Sequence, residues 1–378
     1  MRQVNLSPPV SNDIGARLAY LSFMATSALR IPSLIAIARP RAIAHWLLLV
    51  AALVFAMIVV GGITRLTESG LSIVEWAPVS GAVPPLNDAA WNAAFAAYKT
   101  TPQYVQVNTG MSLSEFKNIY FWEFVHRLLG RVIGLAFALP LLWFAVRRAI
   151  PAGYGWRLSA LLALGGLQGF IGWWMVASGL VDRPDVSHIR LAVHLLNALL
   201  IMGALIWVAL DLLRLHRDAD AKPARVPTLA IWAFAILALQ IMFGAYVAGL
   251  EAGYAFSSWP LMGDSWFPAD APMLAPWLRN LVDNPIVVQF VHRWLAFAVA
   301  AMMVVVARKA WTCGANRLAI ALVTVVTAQI LLGITTLLSG VALHLAAAHQ
   351  AMAAVLVGVL VTTAHRLAAP EVSRVVSA

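Results

Sequence analysis

The stretch Phe121-Trp122-Glu123-Phe124-Val125-His126-Arg127-Leu128-Leu129-Gly130-Arg131 begins an apolar run that continues to about residue 146. A related phrase, His292-Arg293-Trp294-Leu295, lies in a second apolar run, 286–307. An α-helix needs roughly 20 predominantly apolar residues to cross the hydrocarbon core of a bilayer, and both runs reach that length. The sequence therefore predicts membrane-spanning helices that carry a repeated His-Arg pair.

The composition extends this prediction to the whole chain. Hydrophobic residues make up 62% of the 378 residues and charged residues only 11%, a balance typical of membrane proteins with many spans. We predict an all-α integral membrane protein with eight transmembrane helices, at about 45–64, 119–146, 158–178, 191–213, 226–249, 286–307, 318–338 and 344–365.

An internal repeat divides these helices into two groups. The pattern Gln-x-x-x-Gly recurs from Gln168, Gln240 and Gln329, and Gly61-Gly62 occupies the corresponding place in the first helix. We therefore predict two pseudo-symmetric four-helix bundles. The expected segments are an interfacial or cytoplasmic N-terminal segment (1–44), an N-terminal bundle (45–213), a cytoplasmic linker (214–225), a C-terminal bundle (226–366) and a cytoplasmic tail (367–378).

Basic residues indicate the orientation, because Arg and Lys are retained in cytoplasmic loops. They are frequent near both termini and after the second, fourth and sixth helices, and sparser in the alternate loops. Both termini should therefore face the cytoplasm. The net charge of +10 is spread over these loops, which favours topology and contact with the lipid bilayer over a nucleic-acid partner. The single cysteine, Cys313, excludes an intramolecular disulfide.

Four histidines occupy matching places in the two halves: His126 and His194 in the first, His292 and His349 in the second. Each is expected within about two turns of the outer end of its helix. Buried histidine pairs on neighbouring helices can ligate haem iron in a membrane bundle, whereas zinc calls for three or four clustered ligands. The alternative for a single histidine is a hydrogen bond between helices. A further histidine, His365, lies near a cytoplasmic helix end, where a capping or interfacial role is expected.

Charged residues accompany the proposed ligands. Arg127 and Arg293 each follow a histidine and are predicted to pair with haem propionates, the alternative being snorkelling towards lipid headgroups. Glu123 precedes His126 by three residues, and the second half has Gln289 in that place. A carboxylate inside a membrane is a functional candidate, and its alternative is a salt bridge to Arg127 or Arg65. The unequal pair predicts unequal roles for the halves, and the long outer loops, about 65–118 and 250–285, are expected to cap the sites.

The chain resembles the haem A synthase family, and the resemblance runs from about residue 45 to 366. The stretches that carry it are Gly61-Gly62-Ile63-Thr64-Arg65-Leu66-Thr67-Glu68-Ser69-Gly70-Leu71-Ser72, Glu75-Trp76-Ala77-Pro78, the stretch 121–131 quoted above, Ala248-Gly249-Leu250-Glu251-Ala252-Gly253 and Trp259-Pro260-Leu261-Met262. It is most similar to the alphaproteobacterial and mitochondrial branch. Some bacterial relatives carry a cysteine pair in the outer loops, which this chain lacks.

The resemblance implies an enzyme that oxidises the C8 methyl group of haem O to a formyl group by successive hydroxylations. It implies that His126 and His194 flank the substrate haem, that His292 and His349 ligate a resident haem b, and that Glu123 is the required carboxylate. The implied partners are haem O, an electron donor and haem O synthase, with a homo-oligomer as an open alternative. The implied location is a bacterial inner membrane, or alternatively the mitochondrial inner membrane.

Two other functional classes share some of these features. A b-type membrane cytochrome that transfers electrons between quinol and a partner would need the same paired histidines. A transporter would also have internal repeats, but histidines in the outer leaflet argue against a midplane site. Glu123, without a matching acid in the second half, and the long capping loops favour catalysis.

Overall fold

The computed structural model describes residues 38–77, 80–181 and 183–368. Over these ranges the regular structure is helical, with one isolated β-bridge between Met262 and Ser265. Eight helices are long and apolar enough to cross a membrane, which confirms the predicted number. They are α1 (Pro40–Leu66), α2 (Leu113–Val146), α3 (Gly155–Ala177), α4 (His188–Arg217), α5 (Thr228–Gly249), α6 (Pro285–Thr312), α7 (Asn316–Leu338) and α8 (Leu343–Ala368).

Seven of the eight helices begin earlier than their apolar runs, whereas α5 begins at Thr228, two residues after the expected position 226. Pro40 stands in the first turn of α1, where its fixed φ and missing N–H are tolerated, so this helix starts five residues before the expected position 45. The rest of the predicted interfacial segment, residues 1–37, lies outside the described residues, as does 369–378 of the predicted tail.

The start of α2 changes the predicted depth of His126. Ser112 and Glu115 form a capping box, in which each side chain bonds the other residue's backbone N–H. The helix therefore begins at Leu113, and His126 lies more than three turns from this end at about 3.6 residues per turn. The expectation of two turns is wrong for His126, although it is confirmed for the other three histidines, which follow closely after the starts of α4, α6 and α8.

The helices of each half form a four-helix arrangement in which neighbours and diagonals can be told apart by their contacts. In the first half α1 contacts α2 and α4, and α3 contacts the same two helices, so α2 and α4 stand diagonally opposite each other. In the second half α6 contacts α5 and α7 closely, and α8 contacts α7 closely but α5 and α6 only slightly, which places α6 and α8 on a diagonal. The ends of the helices joined by 67–112 and 250–284 are called the long-loop face below, and the other ends the short-loop face. All four predicted histidines lie on the helices of these two diagonals.

A shared apolar core joins the halves through α1, α4 and α8. Leu47, Leu205, Leu356 and Leu360 are among its fully buried side chains. By contrast, α2 and α3 present many large apolar side chains at the surface, including Leu142 and Trp156. Such exposure is what a lipid environment permits, since lipid tails are as apolar as the side chains.

A buried polar pair also joins the halves, at the short-loop face. The Nε2 of His365 on α8 lies 3.0 Å from the Asp211 Oδ1 on α4, and the same oxygen accepts from the backbone N–H of Ala224 at 2.9 Å. Both side chains are buried, so the expectation of a capping or interfacial role for His365 is wrong. The pair ties α4, α8 and the connection between the halves together.

We predict that Asp211→Ala lowers the stability of the purified protein, because the change leaves a buried imidazole and a backbone N–H without their acceptor. An unpaired buried polar group costs about 1–3 kcal/mol, which corresponds to a melting temperature a few degrees lower in detergent. Asp220→Ala, in the exposed connection, is the matched control. Equal melting temperatures for the two variants would contradict the prediction.

Candidate functional site

Each of the four predicted histidines packs its ring against a glycine of the preceding helix. An added Cβ on these glycines would lie about 3 Å from the Cε1 of the ring, which is closer than side chains tolerate without a shift. The four distances are 3.0 Å for Gly61 and His126, 3.0 Å for Gly172 and His194, 2.9 Å for Gly244 and His292, and 2.9 Å for Gly333 and His349. The glycines therefore make room for the imidazoles, a role that sequence analysis missed although the repeat pointed to them.

The glutamines of the same repeat bind the histidines directly. The Nε2 of Gln168 donates to the backbone carbonyl of His194 at 3.0 Å, and the Nε2 of Gln240 donates to that of His292 at 3.0 Å. Both amides also lie beside the Nδ1 atoms of the rings, at 3.2 and 3.1 Å. In these two Gln-x-x-x-Gly units the amide binds the facing helix and the glycine makes room for the histidine ring, whereas the Nε2 of Gln329 lies 3.5 Å from the Nε2 of His349.

The rings of each half are brought together across the diagonals. His126 lies near His194, and His292 lies near His349. The Nδ1 atoms of His126 and His349 are buried without a hydrogen-bond partner. Among the described residues no group of three or more His, Cys, Asp or Glu side chains is arranged to hold a metal ion. Two imidazoles per half are donors that would suit a haem iron, whereas a zinc site calls for three or four ligands.

Glu123 is held by four hydrogen bonds. Its Oε2 accepts from the Ser72 hydroxyl at 2.7 Å and from the backbone N–H of Ile73 at 2.8 Å. Its Oε1 accepts from the Nε and Nη2 of Arg127 at 3.0 and 2.6 Å. The residue is only 3% exposed, and hydrogen-bond donors surround both of its oxygens.

The two arginines hold the long loops down onto the helices. Arg127 donates to the carbonyls of Ile73 at 2.8 Å and Glu75 at 3.0 Å. Arg293 donates to those of Phe256 at 2.9 Å and Ser258 at 2.9 Å. The guanidinium groups also lie over tryptophan rings, Arg127 over Trp76 at 5.7 Å and Arg293 over Trp259 at 6.0 Å. The repeat therefore extends to the way each loop is fastened.

The alternative expectation for Glu123 is a salt bridge to Arg127 or Arg65, and the structure contains the one to Arg127. Arg65 instead pairs with Glu251 at 3.3 Å, across the halves. Beside this second pair, burial and the carboxylate of Glu251 raise the pKa of Glu68, against the lowering effect of Arg65. Whether Arg127 and Arg293 bind propionates stays a prediction.

The halves differ in the direction of one hydrogen bond. In the first half the Glu123 carboxylate accepts from the backbone N–H of Ile73. In the second half Gln289 donates its amide to the carbonyl of Phe256 at 3.0 Å. The amide thus fastens the loop without bringing a charge, while Glu123 fastens it and introduces one.

Comparison with known proteins places the chain. The COX15-CtaA family model, described as cytochrome oxidase assembly protein, matches residues 44–361. A protein named Heme A synthase from Rhizorhabdus wittichii is 60% identical over 89% of this chain and 96% of its own length. The chain belongs to the haem A synthase family. Proteins of the same name from Sphingopyxis alaskensis and Rhodospirillum centenum are 54% and 51% identical, over 91% and 89% of this chain and 97% and 91% of their own lengths.

Within the haem A synthase family, the quoted motifs now have positions in space. Gly61 receives His126, Ser72 binds Glu123, and Trp76 and Trp259 cover the two arginines. The motifs are therefore the contacts of one site per half, and the paired imidazoles at their centre suit the haem-type cofactor that the family implies.

We predict that Gly244→Ala weakens haem binding between His292 and His349. The new Cβ would lie 2.9 Å from the His292 ring, and relieving such overpacking costs about 1–3 kcal/mol, which corresponds to an affinity lower by about 5- to 150-fold. The measurement is haem bound per purified protein and its loss on dilution. Gly166→Ala, whose Cβ meets nothing within 4 Å, is the control. Equal haem retention in the two variants would show that the close approach is not needed.

Proposed function

We propose that this chain is a haem A synthase that oxidises the C8 methyl group of haem O to a formyl group, by successive hydroxylations, and so supplies haem A for terminal oxidases. The single observation that carries the proposal is Glu123, a buried and fully hydrogen-bonded carboxylate. It stands one turn from His126 in a framework that is otherwise repeated. The 60% identity to a protein named Heme A synthase supports the same reaction.

The two halves divide the work in this proposal. The N-terminal half, 45–213, binds the substrate haem O between His126 and His194, where the carboxylate is. The C-terminal half, 226–366, binds a resident haem b between His292 and His349, where an amide replaces it. Bound there, haem b would supply one-electron redox chemistry. The asymmetry of Glu123 and Gln289, with the contacts described above, supports this assignment.

In the first half some residues position the substrate haem, and Glu123 provides a charge beside it. His126 and His194 would fix the iron, and hence the orientation of the macrocycle. Glu123 has two roles open to it: it takes or gives a proton near the reacting methyl group, or its negative charge stabilises positive charge on the substrate. Ser72 and Arg127 keep the carboxylate in place. The loop segment 72–77, which Arg127 holds against α2, would limit the access of water to Glu123.

The arginines are proposed to meet the propionates as well as the loops. A polar cavity of about 200 Å³ beside Glu75 is lined by Arg127 and Arg131, and two guanidinium groups suit a carboxylate ligand. In the second half the Nε of Arg293 is buried without a hydrogen-bond partner. These features support Arg127 as a contact of the substrate haem and Arg293 as a contact of haem b.

The setting is a bacterial membrane, as the eight helices and the bacterial relatives indicate. We place it in the inner membrane with both termini cytoplasmic, because Arg147, Arg148, Arg214, Arg217 and Arg308 all lie towards the short-loop face. An electron donor and haem O synthase are the proposed partners, and a homo-oligomer is an open alternative. A b-type cytochrome would use the same histidines, but neither Glu123 nor the relatives favour it.

Histidine substitutions are expected to separate the halves. We predict that His292→Ala or His349→Ala removes haem b from the purified protein, because one remaining imidazole holds the iron poorly. We predict that His126→Ala and His194→Ala leave haem b in place and abolish haem A formation. Pigment extraction and the reduced spectrum measure both. If the first-half variants lose haem b and the second-half variants keep it, the assignment is reversed.

Glu123→Gln is expected to slow haem A formation by about 10²-fold or more, the scale of a lost acid or base, with haem O or its alcohol accumulating on the protein. The amide keeps the size of the side chain, but it replaces one acceptor oxygen with a donor. Part of the hydrogen bonding between residue 123 and the loop residues Ser72 and Ile73 is therefore lost as well.

Ser72→Ala separates these effects, because it removes one bond to the loop and keeps the charge of Glu123. Its haem A production should stay well above that of Glu123→Gln, because the carboxylate keeps its bonds to Ile73 and Arg127 and loses only one hydrogen bond to a charged group, worth about 1.5–3 kcal/mol. Near-normal production by Glu123→Gln, measured by extraction of pigments after co-expression with a haem O source, would show that the acid is structural.

A further inference from the structure

Two adjacent glycines of α1 lie between the proposed haem sites. Gly61 faces the His126 ring in the first half. Gly62 faces the side chain of Gln350 on α8, whose amide atoms lie 2.7 to 2.8 Å from the position of an added Cβ. Because Gln350 directly follows His349, a single turn of α1 touches both a proposed substrate ligand and the neighbour of a proposed haem b ligand.

A hydrogen bond fixes this contact. The Nε2 of Gln350 donates to the backbone carbonyl of Ile58 at 2.6 Å, the carbonyl that closes the same helical turn as Gly62. A carbonyl oxygen has two lone pairs, so it can serve the helix and the amide together. The side chain is thus pinned at one end to the turn that carries His349, and at the other to the turn that admits His126.

The repeat offers a comparison within the chain. The residue that corresponds to Gly62 in α5 is Ala245, and the residue that follows His194 in α4 is Leu195. Ala245 belongs to an apolar cluster against which Leu195 packs. Apolar side chains therefore suffice to join α4 and α5, and helix packing alone does not explain the polar contact between α1 and α8.

We propose that Gln350 is a positioning residue that couples the two haem sites. Filling the first site presses on the turn of α1 that receives His126, and Gln350 passes the displacement to the turn of His349. The coupling is reciprocal, because the state of each site alters the other by the same factor. The inference rests on the proposed function and adds a link between its two halves.

The experiment measures the midpoint potential of the resident haem in the full-length protein, in nanodiscs, with and without zinc protoporphyrin IX. This probe enters the first site and does not change its redox state in the titration. In the natural protein it should shift the potential by about 40 mV or more. That shift corresponds to fivefold coupling, at 59 mV per tenfold for one electron.

Gln350→Met keeps the length of the side chain and removes the donor, and the shift should fall close to zero while both ligands still bind. Leu195→Met places the same side chain at the matching position of α4 and should keep the full shift. His126→Ala should abolish probe binding, which locates the probe. Gly62→Ala, whose Cβ displaces the Gln350 amide, should act like Gln350→Met. If the Gly62→Ala protein fails to fold, the shift measured in Gln350→Met still tests the coupling.

A full shift in Gln350→Met overturns the coupling, and so does the absence of a shift in a natural protein that binds both ligands. Both results leave the proposed function intact. A natural protein without resident haem overturns the haem b site of the second half, one that does not bind the probe overturns the substrate site of the first half, and either result overturns the coupling.

Discussion

The close approach of an imidazole ring to a glycine on the next helix is the contact on which the rest of the structure depends. It occurs four times, and each time it sets how closely two helices meet and where a histidine points. Without a Cβ, the helix surface has a notch about the depth of a ring edge, and the ring fills it. In a membrane, where helices associate through packing rather than through exclusion of water, such notches fix both the bundle and its site.

The second constraint is the attachment of the long loops to the helices by buried and partly buried polar side chains. Arg127 and Arg293 bind loop carbonyls in the same way, so the long loop of each half is attached to its helices by the same kind of contact. Glu123 and Gln289 have nearly the same volume, but only the carboxylate side chain can carry a negative charge. A repeat can acquire a catalytic half in this way, because the amide and the carboxylate both fasten the loop while only one adds a negative charge beside the histidine.

Much of the fold could be predicted from single stretches of sequence. Apolar runs predicted the eight helices, and the matched histidines predicted which side chains meet, because both signals are local or repeated. The partners of Glu123 could not be predicted, since Ser72 lies 51 residues away in an irregular loop. The contact of Gln350 with Ile58 spans 292 residues and has no counterpart in the other half. The depth of His126 was misjudged because a polar capping box, Ser112 and Glu115, extends α2 beyond its apolar run.

The long loop of the first half is held without any covalent cross-link, because Cys313 is the only cysteine. Its stability comes from stacked rings such as Phe95 and Phe116, and from the bonds that Ser72, Ile73 and Arg127 make with Glu123 and the backbone. Local opening of this loop, the kind of event that amide hydrogen exchange detects, therefore separates Glu123 from Ser72 and Ile73 at the same moment. Thiol–disulfide exchange cannot open or close this loop, because the loop contains no cysteine.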